Sequence, residues 1–373
     1  MPLDLAQTLS EQQLPELPPR FVQPLHRREP CHGYSSIPVI DLQELLHQDG
    51  HSARMAAQAL ANACEEWGFF QISTSLMEDV RRLVKEFLNL FMEKKMKRPM
   101  KSDSHCSTGY GRNFDFSEDT ILDWVDALIN YISPPALKNP EYWPDKPAAY
   151  RYIFVTRKSF KLYRLSTFFK LSNFLAFLDS SFLEEAVGGE DSQVVLRVNH
   201  YPRCQQPDLV LGLRPHSDGS AITLLLHDEV EGLQVKKDGV WWAVKPIPDA
   251  LIVNIGDMMQ VICKNLKLVN LFWVIEGLVV ELGSNDDNIS MLQLVSNGRY
   301  TSMEHRAVVR SDNERISIVV FYLPAASAFL SPITTEGTES QNALYKPIKY
   351  GDYLTELRNK ELQGKDRINS LLI

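Results

Sequence analysis

From residue 193 onward the chain breaks into short apolar runs, at 194–198, 222–226, 233–235, 240–244, 251–255 and 316–322, with turn residues between them. Such runs are too short for helices, and their close spacing is the signature of a sandwich or jelly-roll barrel. The chain ahead of them has a different character. Residues 53–67 read as a helix that Gly68 stops, and 69–72 as a strand. Ser75-Leu76-Met77-Glu78 is a capping box. It opens a helix whose apolar residues at 76, 80, 83, 84, 87 and 91 form one stripe for core packing. Helices first and strands after predict an α+β fold, a double-stranded β-helix (jelly-roll) barrel backed by helices.

Four regions follow. Residues 1–35 carry Pro15, Pro18, Pro19, Pro24 and Pro30 and read as an extended arm with room for one short helix. Residues 36–190 are the helical region, opening on a short strand at 37–42. Within it, 107–135 reads as loop with short strands, rich in aromatic residues, and 157–178 as a basic helix packed on its own domain. Residues 191–330 are the barrel, and 331–373 a tail with a final helix at 350–362. A formal charge of −8 without a long basic run argues against nucleic acid. No uncharged apolar run reaches about 18 residues, so no membrane span is expected. Residues 1–20 lack a signal pattern. Five cysteines, scattered and without a CxxC pair, fit a reducing cytosol. The expectation is a monomeric cytoplasmic protein acting on a small molecule.

The chemistry starts at Pro215-His216-Ser217-Asp218. In an extended strand, alternate side chains share a face, so an imidazole and a carboxylate converge. A second histidine would complete two nitrogens and one carboxylate around an ion such as Fe(II), with positions left open. His305 is the candidate. With nine histidines in the chain, His-x-acid pairs arise by chance: His47-Gln48-Asp49 and His227-Asp228-Glu229 are read as surface residues. Ten residues beyond His305, Arg315 and Ser317 share a face by the same alternation. A guanidinium with a hydroxyl beside it holds a carboxylate. A buried arginine needs an anion, here the far carboxylate of a ligand that chelates the metal at its other end.

These residues, together with Ile37-Pro38-Val39-Ile40-Asp41-Leu42, Trp67-Gly68-Phe69-Phe70-Gln71, Asn199-His200-Tyr201-Pro202, Asn254-Ile255-Gly256-Asp257 and Ser296-Asn297-Gly298-Arg299-Tyr300, resemble the plant Fe(II)- and 2-oxoglutarate-dependent dioxygenases. Anthocyanidin synthase, flavonol synthase and lateral branching oxidoreductase are members. The resemblance implies that His216, Asp218 and His305 bind Fe(II). It implies that Arg315 and Ser317 hold the distal carboxylate of 2-oxoglutarate, with Tyr201 and Asn199 in support. O2 is the oxidant and ascorbate the expected reductant. Phe321 matches a position lining the substrate cavity. Tyr110, Phe114, Phe116 and Trp124 lie where the family builds the opposite wall, with core packing as the competing reading. The implied activity is hydroxylation, demethylation or desaturation of a small specialised metabolite or hormone, with succinate and CO2 released. The alternatives are a catalytically impaired or dead member, or an oxidase of the same fold that does not use 2-oxoglutarate.

Three departures stand out. The turn after Ile72 lacks the family's usual Asn-His-Gly. Arg214 replaces a small residue beside the metal motif, either reading an acidic substrate or pointing outward. The largest departure is spacing. Asp218 and His305 are 87 positions apart, against roughly 50–55 in the family. Joining Gln260 directly to Leu294 restores the family's run into Ser296-Asn297-Gly298 and removes 33 residues, 261–293. That segment begins with Val, whose codons start GT, and ends with Gln, one of whose codons is CAG, as an unspliced intron would. A lineage-specific loop is the other reading.

Overall fold

The computed structural model describes residues 5–41, 50–73, 78–102, 107–112, 120–155, 187–262, 300–330, 345–359 and 364–373. Residues 75–77 of the capping box, with most of the shortened turn, the basic helix at 157–178, the aromatics Phe114 and Phe116, and most of 261–293 lie outside them.

The N-terminal segment is folded against the barrel rather than extended away from it. Helix α1 (Ala6–Gln12) is followed by two single-turn helices and strand β1 (Cys31–Tyr34). The first N–H groups of a helix have no partner within it. Here Ala6 and Gln7 donate theirs to the buried carboxylate of Asp126, at 3.0 and 2.9 Å. Ala6, Leu9 and Phe21 then pack with Trp124 and Tyr201 in one apolar cluster.

Next come β2 (Val39–Ile40), α2 (Gly50–Glu66) and β3 (Phe69–Ser73). Gly68 ends α2 with φ +57°, and a Cβ there would meet the Thr301 carbonyl at 2.0 Å. Only glycine turns the chain at that point. Helix α3 (Glu78–Leu88) buries Leu83, Val84, Phe87 and Leu88. Phe91 leaves the expected stripe: α3 ends at Leu88, the period is broken, and Phe91 is 84% exposed. Helix α4 (Met92–Lys95), β4 (Lys101–Ser102), β5 (Ser107–Gly111), β6 (Asp126–Ser133) and α5 (Ala148–Val155) complete the supporting region.

The barrel strands are β7 (Gln193–Tyr201), β8 (Leu213–His216), β9 (Ile222–His227), β10 (Leu233–Lys237), β11 (Val240–Ala243), β12 (Ala250–Ile255), β13 (His305–Ala307) and β14 (Arg315–Leu323), with α6 (Asp257–Ile262) after β12. Strands β15 (Phe329–Leu330) and β16 (Ile348–Lys349) and helices α7 (Tyr350–Asn359) and α8 (Asp366–Asn369) form the tail. Two sheets make the jelly roll. The smaller runs β1-β11-β10-β13-β8, the larger β2-β3-β12-β9-β14-β7-β6-β5-β4. Every run from 193 read as a strand is one. Residues 107–112 and 120–135, read as loop with short strands, hold the eight-residue strand β6, paired along β7.

Candidate active site

The smaller sheet supplies two histidines. β8 ends on His216, which stands opposite His305 across the antiparallel β8–β13 pair. Their ring centroids are 4.3 Å apart. Asp218 follows just past the end of β8, so chain alternation is not what aims it. Two donors from the larger sheet do so: Thr223 Oγ1 and Asn254 Nδ2 both give hydrogen bonds to Asp218 Oδ2, at 2.7 and 2.8 Å. The other oxygen, Oδ1, faces the histidines, 3.7 Å from each Nε2.

All three ligand atoms lie within 4.8 Å of one another, and all three residues are buried. The outer hydrogen bonds suit a metal. His216 Nδ1 donates to the Arg214 carbonyl at 2.8 Å and His305 Nδ1 to the Met303 carbonyl at 3.1 Å. Each imidazole therefore directs its Nε2 lone pair inward. Burial, reinforced by neighbouring His305, lowers the His216 pKa to about 3, so the ring is a neutral ligand near pH 7. For Asp218, burial alone favours the neutral acid. The two histidines and the bonds from Asn254 and Thr223 outweigh it and hold the carboxyl below its ordinary value. Two imidazole nitrogens and one carboxylate oxygen are the donor set that Fe(II) takes with open positions.

A second constellation stands on the larger sheet. In the register of β7, β14 and β9, Asn199 pairs with Ser317 and Ser317 with His227, while Arg315 pairs with Tyr201. Directly opposite residues share a face. Asn199 Nδ2 donates to Ser317 Oγ at 3.1 Å, which leaves the serine hydroxyl proton for another acceptor. Arg315 is 3% exposed, its guanidinium carbon lies 5.1 Å from the centre of the Tyr201 ring, and its Nε has no hydrogen-bond partner among the described residues. An orphaned buried guanidinium N–H beside a serine hydroxyl fits a carboxylate guest. Gly232 makes room for it: a Cβ there would lie 2.7 Å from Arg315 Cδ.

The chain matches the sequence model of the 2OG-Fe(II) oxygenase superfamily over residues 192–269 and 276–324, and that of the non-haem dioxygenase in morphine synthesis N-terminal region over 37–146. It is 34% identical to lateral branching oxidoreductase 1 of Arabidopsis thaliana, over 98% of this chain and 95% of that one. The chain belongs to the 2OG-Fe(II) oxygenase superfamily. Other members similar to it include jasmonate-induced oxygenase 4 of Arabidopsis thaliana, 34% identical over 100% of this chain and 98% of the other. Thebaine 6-O-demethylase of Papaver somniferum is 32% identical, over 100% and 97%. Among solved structures, JOX2 in complex with 2OG, Fe and JA superimposes with a TM-score of 0.79 at 33% identity, covering 100% of this chain and 98% of that one. Members are Fe(II)- and 2-oxoglutarate-dependent dioxygenases.

Several of the sequence expectations need correction against this oxygenase site. Arg214 does not point outward. It is 1% exposed, its Nε lies 3.1 Å from both carboxylate oxygens of Asp123, and its Nη2 donates to the Ile121 carbonyl. Its backbone N–H adds a third bond to Asp123 Oδ1 at 3.1 Å. Trp124 packs in the core: its Nε1 donates to the Pro202 carbonyl and its ring meets Phe21 edge-on. Tyr110, fully buried, packs against Phe87. Phe321 does join Val195, Ile129 and Tyr131 in an apolar cluster on the barrel strands. His227, read as a surface residue, is 4% exposed.

Other site residues carried no assigned role in the sequence. Thr223 and Asn254 orient Asp218. Arg197, buried on β7, donates its Nε to Asn199 Oδ1 at 2.6 Å. Burial lowers its pKa, and Tyr201, Asp123 and Asp218 oppose that shift. The available signal was the alternation of Arg197, Asn199 and Tyr201, which sets all three on one face of the strand.

Proposed function

We propose that this chain oxidises a C–H bond of a small aromatic or terpenoid-like metabolite or hormone while converting 2-oxoglutarate to succinate and CO2. The observation that carries the reading is the placement of His216, Asp218 and His305 in the same barrel as Arg315 and Ser317, with the apolar Phe321 cluster on the same strands. In this reading His216, Asp218 and His305 hold Fe(II). When bound, the ion supplies the O2 chemistry that couples decarboxylation of the 2-oxo acid to oxidation of the substrate. Arg315 and Ser317 take the distal carboxylate and so orient the 2-oxo end toward the metal. Asn199 and Tyr201 hold those two side chains in place. Thr223 and Asn254 keep one Asp218 oxygen occupied and the other free. The buried apolar residues around Phe321 exclude water and present the substrate. Hydroxylation and O-demethylation through a hydroxylated methoxy carbon then differ in which C–H is presented, whereas desaturation would remove a second hydrogen from the neighbouring carbon and leave the oxygen in water.

Ascorbate is the proposed reductant. Scattered cysteines without a CxxC pair support a reducing compartment, and a cytoplasmic monomer is proposed. Among the described residues no helix is long and apolar enough to cross a membrane. The 87-position gap between Asp218 and His305 favours a second reading, in which the full-length chain is an impaired form and residues 261–293 are foreign to the working fold.

The test is succinate release by the Fe(II)-loaded protein against a panel of phenolic, alkaloid, terpenoid and hormone-type compounds. Substrate-dependent succinate matched by an oxidised product is expected. A best substrate that is a peptide or nucleic acid would refute the substrate class. O2 consumption with substrate oxidation but without succinate would replace the reading by an oxidase that does not use 2-oxoglutarate.

A further inference from the structure

One buried titratable group beside the cosubstrate anchor is used by nothing described so far. His227 ends β9 directly opposite Ser317 on β14. On β9, Thr223 reaches Asp218, so by strand alternation Thr223, Leu225 and His227 share the face that looks toward the metal. Asn199, Ser317 and His227 thus form one row across three strands, two residues along from the Tyr201–Arg315 pair on the same face. His227 Nδ1 donates to the Asp228 carbonyl at 2.5 Å. Its Nε2, buried, has no hydrogen-bond partner among the described residues, and neither has Nε of Arg315. Two orphaned nitrogens flank one serine hydroxyl.

We propose that His227 is a third anchor for the distal carboxylate of 2-oxoglutarate, binding it through Nε2 and taking up a proton from solvent as the carboxylate enters. The proposal rests on the assignment of Arg315 and Ser317 to that carboxylate. The proton is required because Nδ1–H is already given to Asp228, so Nε2 carries a hydrogen only in the imidazolium. Before the ligand binds, burial holds the His227 pKa down to about 4, with Arg315 and Arg81 acting in the same direction. Asp228 does not offset this fully. Its carboxylate is committed to the backbone N–H groups of Ile316 and Val230, at 2.5 and 3.2 Å, and is influenced by Arg315 and Lys85. An entering carboxylate brings the missing negative charge and raises the His227 pKa. The sign follows by linkage. Binding consumes a proton wherever the pH lies between the free and bound values, so affinity for 2-oxoglutarate falls as pH rises through that window.

The test is anaerobic calorimetric titration of the full chain, loaded with Fe(II), between about pH 5.5 and 8.5, the range over which histidine commonly changes charge. Two ligands are compared: 2-oxoglutarate, and 2-oxopentanoate, which chelates metal identically but ends in a methyl group. Buffers of different ionisation enthalpy report the protons taken up. The unmodified protein should bind 2-oxoglutarate with proton uptake and more weakly at high pH, and 2-oxopentanoate with neither effect. His227→Gln keeps a neutral donor and should give a flat pH profile without uptake. His227→Leu should weaken 2-oxoglutarate by roughly 10- to 100-fold at the acid end, the worth of a hydrogen bond to a charged group. It should leave 2-oxopentanoate unchanged, which also shows that the variant is folded. Proton uptake that survives in His227→Gln, or equal losses for both oxo acids, would overturn the proposal while leaving the cosubstrate assignment standing. Absence of any 2-oxoglutarate binding by the unmodified chain would overturn the cosubstrate assignment itself, and this proposal with it.

Discussion

Arg214 and Asp123 form an ion pair at 3.1 Å with side chains only 1% and 3% exposed. The pair ties the segment before β6 to the residue whose carbonyl fixes the tautomer of His216. Burial holds the Asp123 carboxyl above its ordinary value, and Arg214, the main opposing influence, offsets that only in part.

Removing one partner of such a pair strands a buried charge. Arg214→Ser should destabilise the fold by about 3–5 kcal/mol in denaturant titration. Replacing both partners, Arg214→Met with Asp123→Leu, should recover most of that loss. A single variant as stable as the double one would show that the pair contributes no coupling.

Asp218 is the one ligand whose second oxygen is held by both Thr223 and Asn254. Asp218→Ala should leave a folded protein whose iron content, measured by mass spectrometry after dialysis, drops to background. Thr223→Val removes one of the two orienting donors and should weaken iron binding about tenfold, one hydrogen bond to a charged group. Iron retention by Asp218→Ala would move the metal elsewhere.

Gly232 lies against the Arg315 stem. Gly232→Ala should displace the guanidinium and raise the KM for 2-oxoglutarate far more than that for the organic substrate. Arg315→Lys should do the same, because an ammonium cannot reproduce the two-pronged contact. Equal effects on both KM values would assign these residues to structure alone.

The C-terminal tail touches residues 215–219 directly at two places and through Asp257 at a third. Tyr353 OH donates to Asp257 Oδ2 at 2.7 Å, and Ser217 donates to the same oxygen at 3.0 Å. Tyr350 OH reaches the Gly219 carbonyl at 2.9 Å, and the Gly364 N–H the Pro215 carbonyl at 3.1 Å. Tyr353→Phe should cost about 1–3 kcal/mol, since it strips a donor from a buried carboxylate. It should also weaken iron binding through Ser217. An unchanged iron affinity would uncouple the tail from the site.

Described residues on the two sides of 261–293 lie together. Gln260 accepts the Ser302 N–H at 2.7 Å and donates to Tyr345 OH at 2.6 Å, while Met258, Met259 and Tyr300 share one core. A chain lacking 261–293 should therefore fold, be more soluble and turn over faster. Loop length by itself costs little, about 0.6 kcal/mol per doubling. Sequenced transcripts should be dominated by a message without those 33 codons. Loss of activity on deletion, with the full form the sole transcript, would make the segment a functional element.

The barrel and its metal motif were legible in the sequence because both follow from local rules. Period-two alternation marks a strand and sets Arg315 beside Ser317. His216-x-Asp218 carries its spacing in the chain itself. What pairs across strands has no such trace. The register that puts His305 opposite His216, and His227 opposite Ser317, is set by long-range hydrogen bonding between segments far apart in sequence. Arg214 illustrates the limit most directly. As a charged residue in a strand it read as outward or substrate-facing. Only the fold brings Asp123 from 91 positions away to neutralise it. For the same reason Thr223 and Asn254 carried no visible role until tertiary structure aimed both at one oxygen of Asp218. Side-chain chemistry and local conformation are properties of the sequence, whereas the partner that makes a buried charge tolerable is chosen by packing.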